Sequence, residues 1–293
     1  MSTPPFLALP ESARSVTLAT SRGPLAGIGI EPSVVSRGVV VMVPGFTGSK
    51  EDFIAVLEPL AVRGWAVVAY DQRGQYESSG PDDEGAYTLG ALAEDLLDVI
   101  EGISHSPVHV VGHSFGGLVA REAALTSGGA RFASLTLLCS GPGSLPPSHH
   151  DGLGAMRSAL PHVPLGTIYD VKESADREGG WAPPSAEIEE FMRRRFVTTN
   201  AWALRAKAGI LVDTPDRTDE LAALAADGLP VAIVYGPHDD AWTTAEQDRV
   251  ASALGTTAVV VPGTGHSPAA EDPEAAAEAL DGVLSGFAAP DAG

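Results

Sequence analysis

Residues 108–117 read VHVVGHSFGG: Val108, Val110 and Val111 lead into a serine with glycine two places before it and two places after. In a chain with 33 glycines a bare Gly-x-Ser-x-Gly is weak, so context decides what it means. A strand before the serine and a helix after it would hold Ser114 in a tight, strained turn, with its hydroxyl clear of the sheet and over a helix N-terminus. Gly112 and Gly116 supply the small neighbours needed where that strand and helix pass close together. The backbone N–H of Phe115 can then point at a developing oxyanion.

Serine is a poor nucleophile near neutral pH without a base, and the base needs a carboxylate to orient it. Of eight histidines, His266 in VVVPGTGHSP stands just past the last apolar run. VYGPHDDAW places Asp239 and Asp240 just past the run before it. The order serine, acid, histidine suits groups hung from successive strand ends. A second oxyanion donor is expected in the glycine-rich PGFTGS loop (44–49), by the N–H of Phe46, with Thr47 in reserve. This set of residue types does acyl transfer.

These loops need a frame. Apolar β-branched runs at 38–43, 65–70, 108–112, 134–139, 231–236 and 256–263 suit strands buried on both faces, preceded by strands at 15–20 and 25–30. Helical spacing falls between them at 50–63, 88–101 and 115–125, at 243–255, and in PEAAAEALDGVLSGF, which begins at Pro273. Strand alternating with helix predicts an α/β fold with a mostly parallel, doubly wound eight-stranded sheet. Residues 142–228 break the rhythm with prolines and helical patterns. They read as a helical insertion, the cap, and leave 1–141 and 229–293 as the core. In the insertion Ile188, Phe191, Met192 and Phe196 keep helical spacing. Phe191, Met192, Trp202 and Trp242 are expected to line a substrate pocket, with Trp181 a further candidate. Arg193-Arg194-Arg195 is expected on a wet helix face, and His149-His150-Asp151 in a solvated loop rather than a metal site.

The 293 residues are 44% hydrophobic, a globular composition. A formal charge of −20 argues against nucleic acid and anionic membranes as partners, and leaves a small-molecule substrate. The single cysteine, Cys139, is expected to be buried and can form no intramolecular disulfide. No signal-peptide pattern or long apolar span is read, so the expected location is the cytoplasm.

Together GHSFGG, PGFTGS, DQRG (71–74), YGPHDD (235–240) and GTGHSP (263–268) resemble the serine hydrolases of the α/β-hydrolase superfamily. The resemblance covers nearly the whole chain. It implies a helical cap between the sixth and seventh core strands, Asp239 rather than Asp240 as the acid, and no metal or organic cofactor. Two departures stand out: Pro44-Gly45 where many members have His-Gly, and Tyr76 where many have a second glycine after Asp-x-Arg-Gly. The expected function is hydrolysis of an ester or thioester of a small to medium apolar substrate. Two alternatives on the same fold are a biosynthetic tailoring enzyme and a slow-turnover ligand-binding or signalling protein.

Overall fold

A computed structural model of the chain describes residues 1–287, so the last six positions of the expected core lie outside the described residues. Eight strands form one sheet: β1 (Ala13–Leu18), β2 (Leu25–Ile30), β3 (Gly38–Val43), β4 (Trp65–Tyr70), β5 (Val108–His113), β6 (Phe132–Leu138), β7 (Val231–Tyr235) and β8 (Val259–Val260). Their spatial order is β1-β2-β4-β3-β5-β6-β7-β8, with β1–β2 and β2–β4 antiparallel and every later pair parallel. β5 is buried along its whole length, which is why it reads as a nearly continuous apolar run.

The helices in chain order are α1 (Ile54–Val62), α2 (Leu89–Ile103), α3 (Phe115–Ser127), α4 (His150–Ala159), α5 (Leu165–Glu178), α6 (Ala186–Thr198), α7 (Ala201–Asp213), α8 (Thr218–Ala226), α9 (Thr244–Ala253), α10 (Pro268–Glu271) and α11 (Pro273–Phe287). One group packs α1 against α10 and α11, and another runs α2, α3, α8, α9. Thr88 caps α2 by accepting from the Ala91 N–H at 3.1 Å. None of the helices among the described residues is long and apolar enough to cross a membrane.

The chain leaves β3 for β4 on one side, then returns to β5 on the other. The sheet therefore has its switch point between β3 and β5, where a crevice opens at the carboxyl ends of the strands. The loops that follow these two strands carry PGFTGS and the Ser114 turn.

The segment 142–228 is helical, as expected, but its parts differ. α4 packs on α7 and α5 on α6, whereas α8 packs on α3 and α9 and so closes the core layer. The cap has its own apolar cluster, made by Leu160, Tyr169, Ile188, Phe191, Met192, Phe196 and Leu204, with Phe46 packed against both it and the main core. α4 and α5 are not anticipated from the sequence. His149-His150-Asp151, expected in a loop, leads into α4: the His150 ring bonds the Leu145 carbonyl at 2.8 Å and His149 the Asp240 carbonyl at 3.0 Å.

Candidate active site

Ser114 sits between β5 and α3 with φ 54° and ψ −123°, a region costly for any residue but glycine. A Cβ on Gly112 would lie 2.6 Å from the Gly116 oxygen, and one on Gly116 would collide with the Val43 carbonyl. These glycines let α3 start directly over the strand ends. The Ser140 hydroxyl donates to the Ser114 carbonyl at 2.8 Å and pins the turn from below.

The base loop is held from both sides. The Glu271 carboxylate on α10 accepts from the Gly265 and Ser267 amides, and the His113 ring bonds the His266 carbonyl at 2.7 Å. Burial pushes His113 down to about 3, so it is neutral and donates through Nε2–H. His266 Nε2 then lies 2.9 Å from Ser114 Oγ and its Nδ1 2.7 Å from Asp239 Oδ1.

It is Asp239, not Asp240, whose carboxylate meets the imidazole. Burial alone would raise that carboxyl. Hydrogen bonds from His266, the Ala241 amide and Gln247, with the imidazole's charge, override it and hold Asp239 below the usual carboxylate value. With both ring nitrogens of His266 engaged, the cluster of Asp239, Asp240 and His266 has no imidazole lone pair left for a cation.

Phe46 borders the cavity beside Ser114, and Gly45 lies against the Ser114 Cβ. The Phe115 ring is fully buried, leaving its backbone N–H as the first of α3. The cavity, about 520 Å³, is walled on its apolar side by Phe46, Leu145, Leu153, Met156 and Leu211. His149, Asp240 and the Lys172–Asp176 ion pair form its polar side. A larger open cleft of about 850 Å³ between cap and core holds Arg157 and Arg217, both already paired with carboxylates, and borders none of the triad residues.

The pocket residues expected from the sequence are displaced by this arrangement. Phe191, Met192, Trp202 and Trp242 do not border the Ser114 cavity. Phe191 and Met192 face the cap's own cluster, Phe191 edge-on to Tyr76 at 5.6 Å. Trp202 packs on the main core. Trp242 is fully buried over Gly141 and donates to the Ser144 carbonyl at 3.2 Å. Met192 and Trp181 border a separate cavity of about 280 Å³. Helical spacing marks a buried face, and here that face is covered by other helices.

Arg195 is a second correction. It is fully buried, 2.6 Å from Asp52 and 2.8 Å from the Ser2 carbonyl, while Arg193 and Arg194 are exposed.

The alpha/beta hydrolase family model matches residues 40–279. The chain belongs to the alpha/beta hydrolase family. Within this family it is 36% identical over 99 residues to a protein of Variovorax paradoxus provisionally named carbamate hydrolase RutD, covering 34% of this chain and 36% of that one. It is 36% identical over 87 residues to the proline iminopeptidase of Lactobacillus delbrueckii subsp. lactis, covering 29% and 30%. These matches span only about a third of each relative. Among solved structures, a thermophilic esterase from Thermogutta terrifontis shares the hydrolase fold with a TM-score of 0.74 at 23% identity, over 94% of this chain and 100% of that one.

Proposed function

We propose that this chain is a serine hydrolase that cleaves esters or thioesters of small to medium, largely apolar acyl groups. The observation that carries the reading is the unbroken run of hydrogen bonds from Asp239 through His266 to Ser114, ending at a cavity that the sheet's switch point opens.

In this mechanism the Ser114 hydroxyl attacks the acyl carbonyl as its proton passes to His266 Nε2. Asp239 stabilises the imidazolium through Nδ1–H. The amides of Phe46 and Phe115 bind the tetrahedral oxyanion. His266 returns the proton to the leaving group, and an acyl-Ser114 ester remains. A water then attacks that ester with His266 as base, and the acid leaves. The side chains of Leu145, Leu153, Met156 and Leu211 favour an apolar acyl chain. The fold relatives carry esterase, carbamate hydrolase and iminopeptidase names, and the same steps serve an oxygen, sulfur or nitrogen leaving group.

The test is hydrolysis of p-nitrophenyl esters of increasing acyl length, the wild type beside Ser114→Ala. The expected result is turnover with a length optimum in the wild type, and loss of about 10⁴-fold or more in the variant. Equal turnover in both would sink the serine mechanism.

A further inference from the structure

Pro44 precedes Gly45 in the oxyanion loop, so no histidine side chain stands there to steady it. What fixes it instead is the DQRGQYES loop (71–78). The Gln75 side chain is almost fully buried and does not border the Ser114 cavity. Its Nε2 donates to the Gly45 carbonyl at 2.7 Å and to the Phe46 carbonyl at 3.2 Å. Its Oε1 accepts from the Gln72 N–H at 3.0 Å, which settles which end of the carboxamide faces the loop. Gln72 in turn donates through Nε2 to the Pro44 carbonyl at 2.7 Å. Two glutamines thus hold three consecutive carbonyls. Among the described residues the only other bond to the Gly45 carbonyl is a long one, 3.3 Å, from the Gly48 amide.

The Gly45 carbonyl and the Phe46 N–H belong to one planar, trans peptide and point in opposite directions. Fixing the carbonyl fixes the donor. A hydrogen bond to the carbonyl also polarises the peptide and strengthens its N–H as a donor. Tyr76, with φ 37° in the left-handed region, follows Gln75 directly and turns the chain, and the Ser78 amide closes the turn onto the Gln75 carbonyl at 2.7 Å.

We infer that Gln75 is a positioning residue for the oxyanion: its carboxamide sets the angle and polarity of the Gly45–Phe46 peptide that stabilises the tetrahedral intermediate. Its catalytic consequence rests on the serine-hydrolase reading above. Gln72 acts on the preceding peptide, whose N–H belongs to Gly45, and serves as the control.

The experiment compares wild type, Gln75→Met and Gln72→Met, with Ser114→Ala alongside. It uses p-nitrophenyl esters, an alkyl boronic acid that forms a tetrahedral adduct on serine, and the amide resonances of protein labelled with ¹⁵N-phenylalanine. Gln75→Met is expected to lower kcat about 10- to 100-fold, with KM within about threefold. Boronate affinity should fall in parallel. The Phe46 amide resonance should move while that of Phe115 stays. Gln72→Met should lose far less.

Unchanged kcat and boronate affinity in Gln75→Met, or an equal loss in Gln72→Met, would overturn the inference. If Gln75→Met does not fold, Gln75→Asn keeps the carboxamide but withdraws it by one methylene, and it should show the same split in weaker form. If the wild type shows no Ser114-dependent turnover, the serine-hydrolase reading fails, and the Phe46 resonance still decides the part of Gln75. Its movement supports the positioning role, and its constancy overturns it.

Discussion

On one side of the cavity Ser114, Asp239 and His266 stand in loops that follow parallel strands, and each loop is braced by polar groups. Ser140 holds the nucleophile turn, Gln247 the acid, and Glu271 with His113 the base. On the other side, Leu153 and Met156 ride on α4, a helix with no fully buried side chain, and α5 buries only Tyr169. On the proposed reading the reacting groups are over-determined by their surroundings, whereas Leu153 and Met156 of the acyl wall sit on an element that changes at low cost; Phe46 and Leu211 of the same wall are packed against the main core. Under the proposed function, the chemistry and the α4 part of the acyl wall should therefore be separable, each open to change without the other.

The most damaging break on the core side is Asp239→Asn. It should lower kcat/KM about 10⁴-fold, because the amide no longer selects the Nδ1–H tautomer of His266. Asp240→Asn, whose carboxylate does not meet the ring, should stay within about threefold. Steady-state kinetics on one ester checks both, and the reverse ranking would move the acid by one residue.

The next largest effect lies where core and cap are joined. Arg195→Met leaves the Asp52 carboxylate buried without its partner and should cost about 3–5 kcal/mol of stability. Arg195→Met combined with Asp52→Leu should recover much of that loss. Denaturant melts measure both, and an additive double variant would contradict the pairing.

A smaller effect is pH-dependent. Burial lowers His113 to about 3 and His109 to about 4, so between those values and the ordinary histidine value near about 6.5 the unfolded chain binds more protons than the folded one. Stability should therefore fall as pH drops below about 6.5. Each histidine adds at most about 1.4 kcal/mol per pH unit to the slope. Unfolding free energies from pH 7 to 4 should show a shallower slope in His113→Gln. An unchanged slope would mean that His113 does not titrate as a buried neutral ring.

On the cap side, Met156→Trp should shift the preferred acyl length downward. It should lose about tenfold on long esters, with acetyl ester turnover within about threefold of the wild type. A uniform loss across all lengths would show that the two sides are not separable.

The same contrast decides what could be read from the sequence. The strands from β3 to β7 are legible because burial on both faces makes continuous apolar runs. The loops carrying Ser114, Asp239 and His266 are legible because glycines, prolines and chemistry-bearing residues sit just after those runs. β8 is shorter than its run: Val259 and Val260 pair with β7, and the Val261 N–H makes the last ladder bond, to the Tyr235 carbonyl at 2.8 Å. The cap is not legible in the same way. Only the HHD start of α4 reads as a loop, and the rest of HHDGLGAMRSA, with two glycines and few apolar positions, gives no helix signal of its own; it is a helix because it packs on α7.

Aromatic and Met side chains in the cap suggest a pocket at Phe191 and Met192, but residue type and helical spacing do not tell a cavity from a neighbouring helix. Arg195 looks like its exposed neighbours, and only the fold brings Asp52 to it. Gln75 carries no local signal of its role, because the carbonyls it holds are 29 and 30 residues away.

On the proposed mechanism Ser114 becomes acylated during turnover. The most direct measurement is acid-quench mass spectrometry of the protein during hydrolysis of a p-nitrophenyl ester. An acyl mass is expected on the peptide holding Ser114, formed at the rate of the nitrophenol burst and absent in Ser114→Ala. Steady nitrophenol release with no adduct, and undiminished in Ser114→Ala, would contradict it.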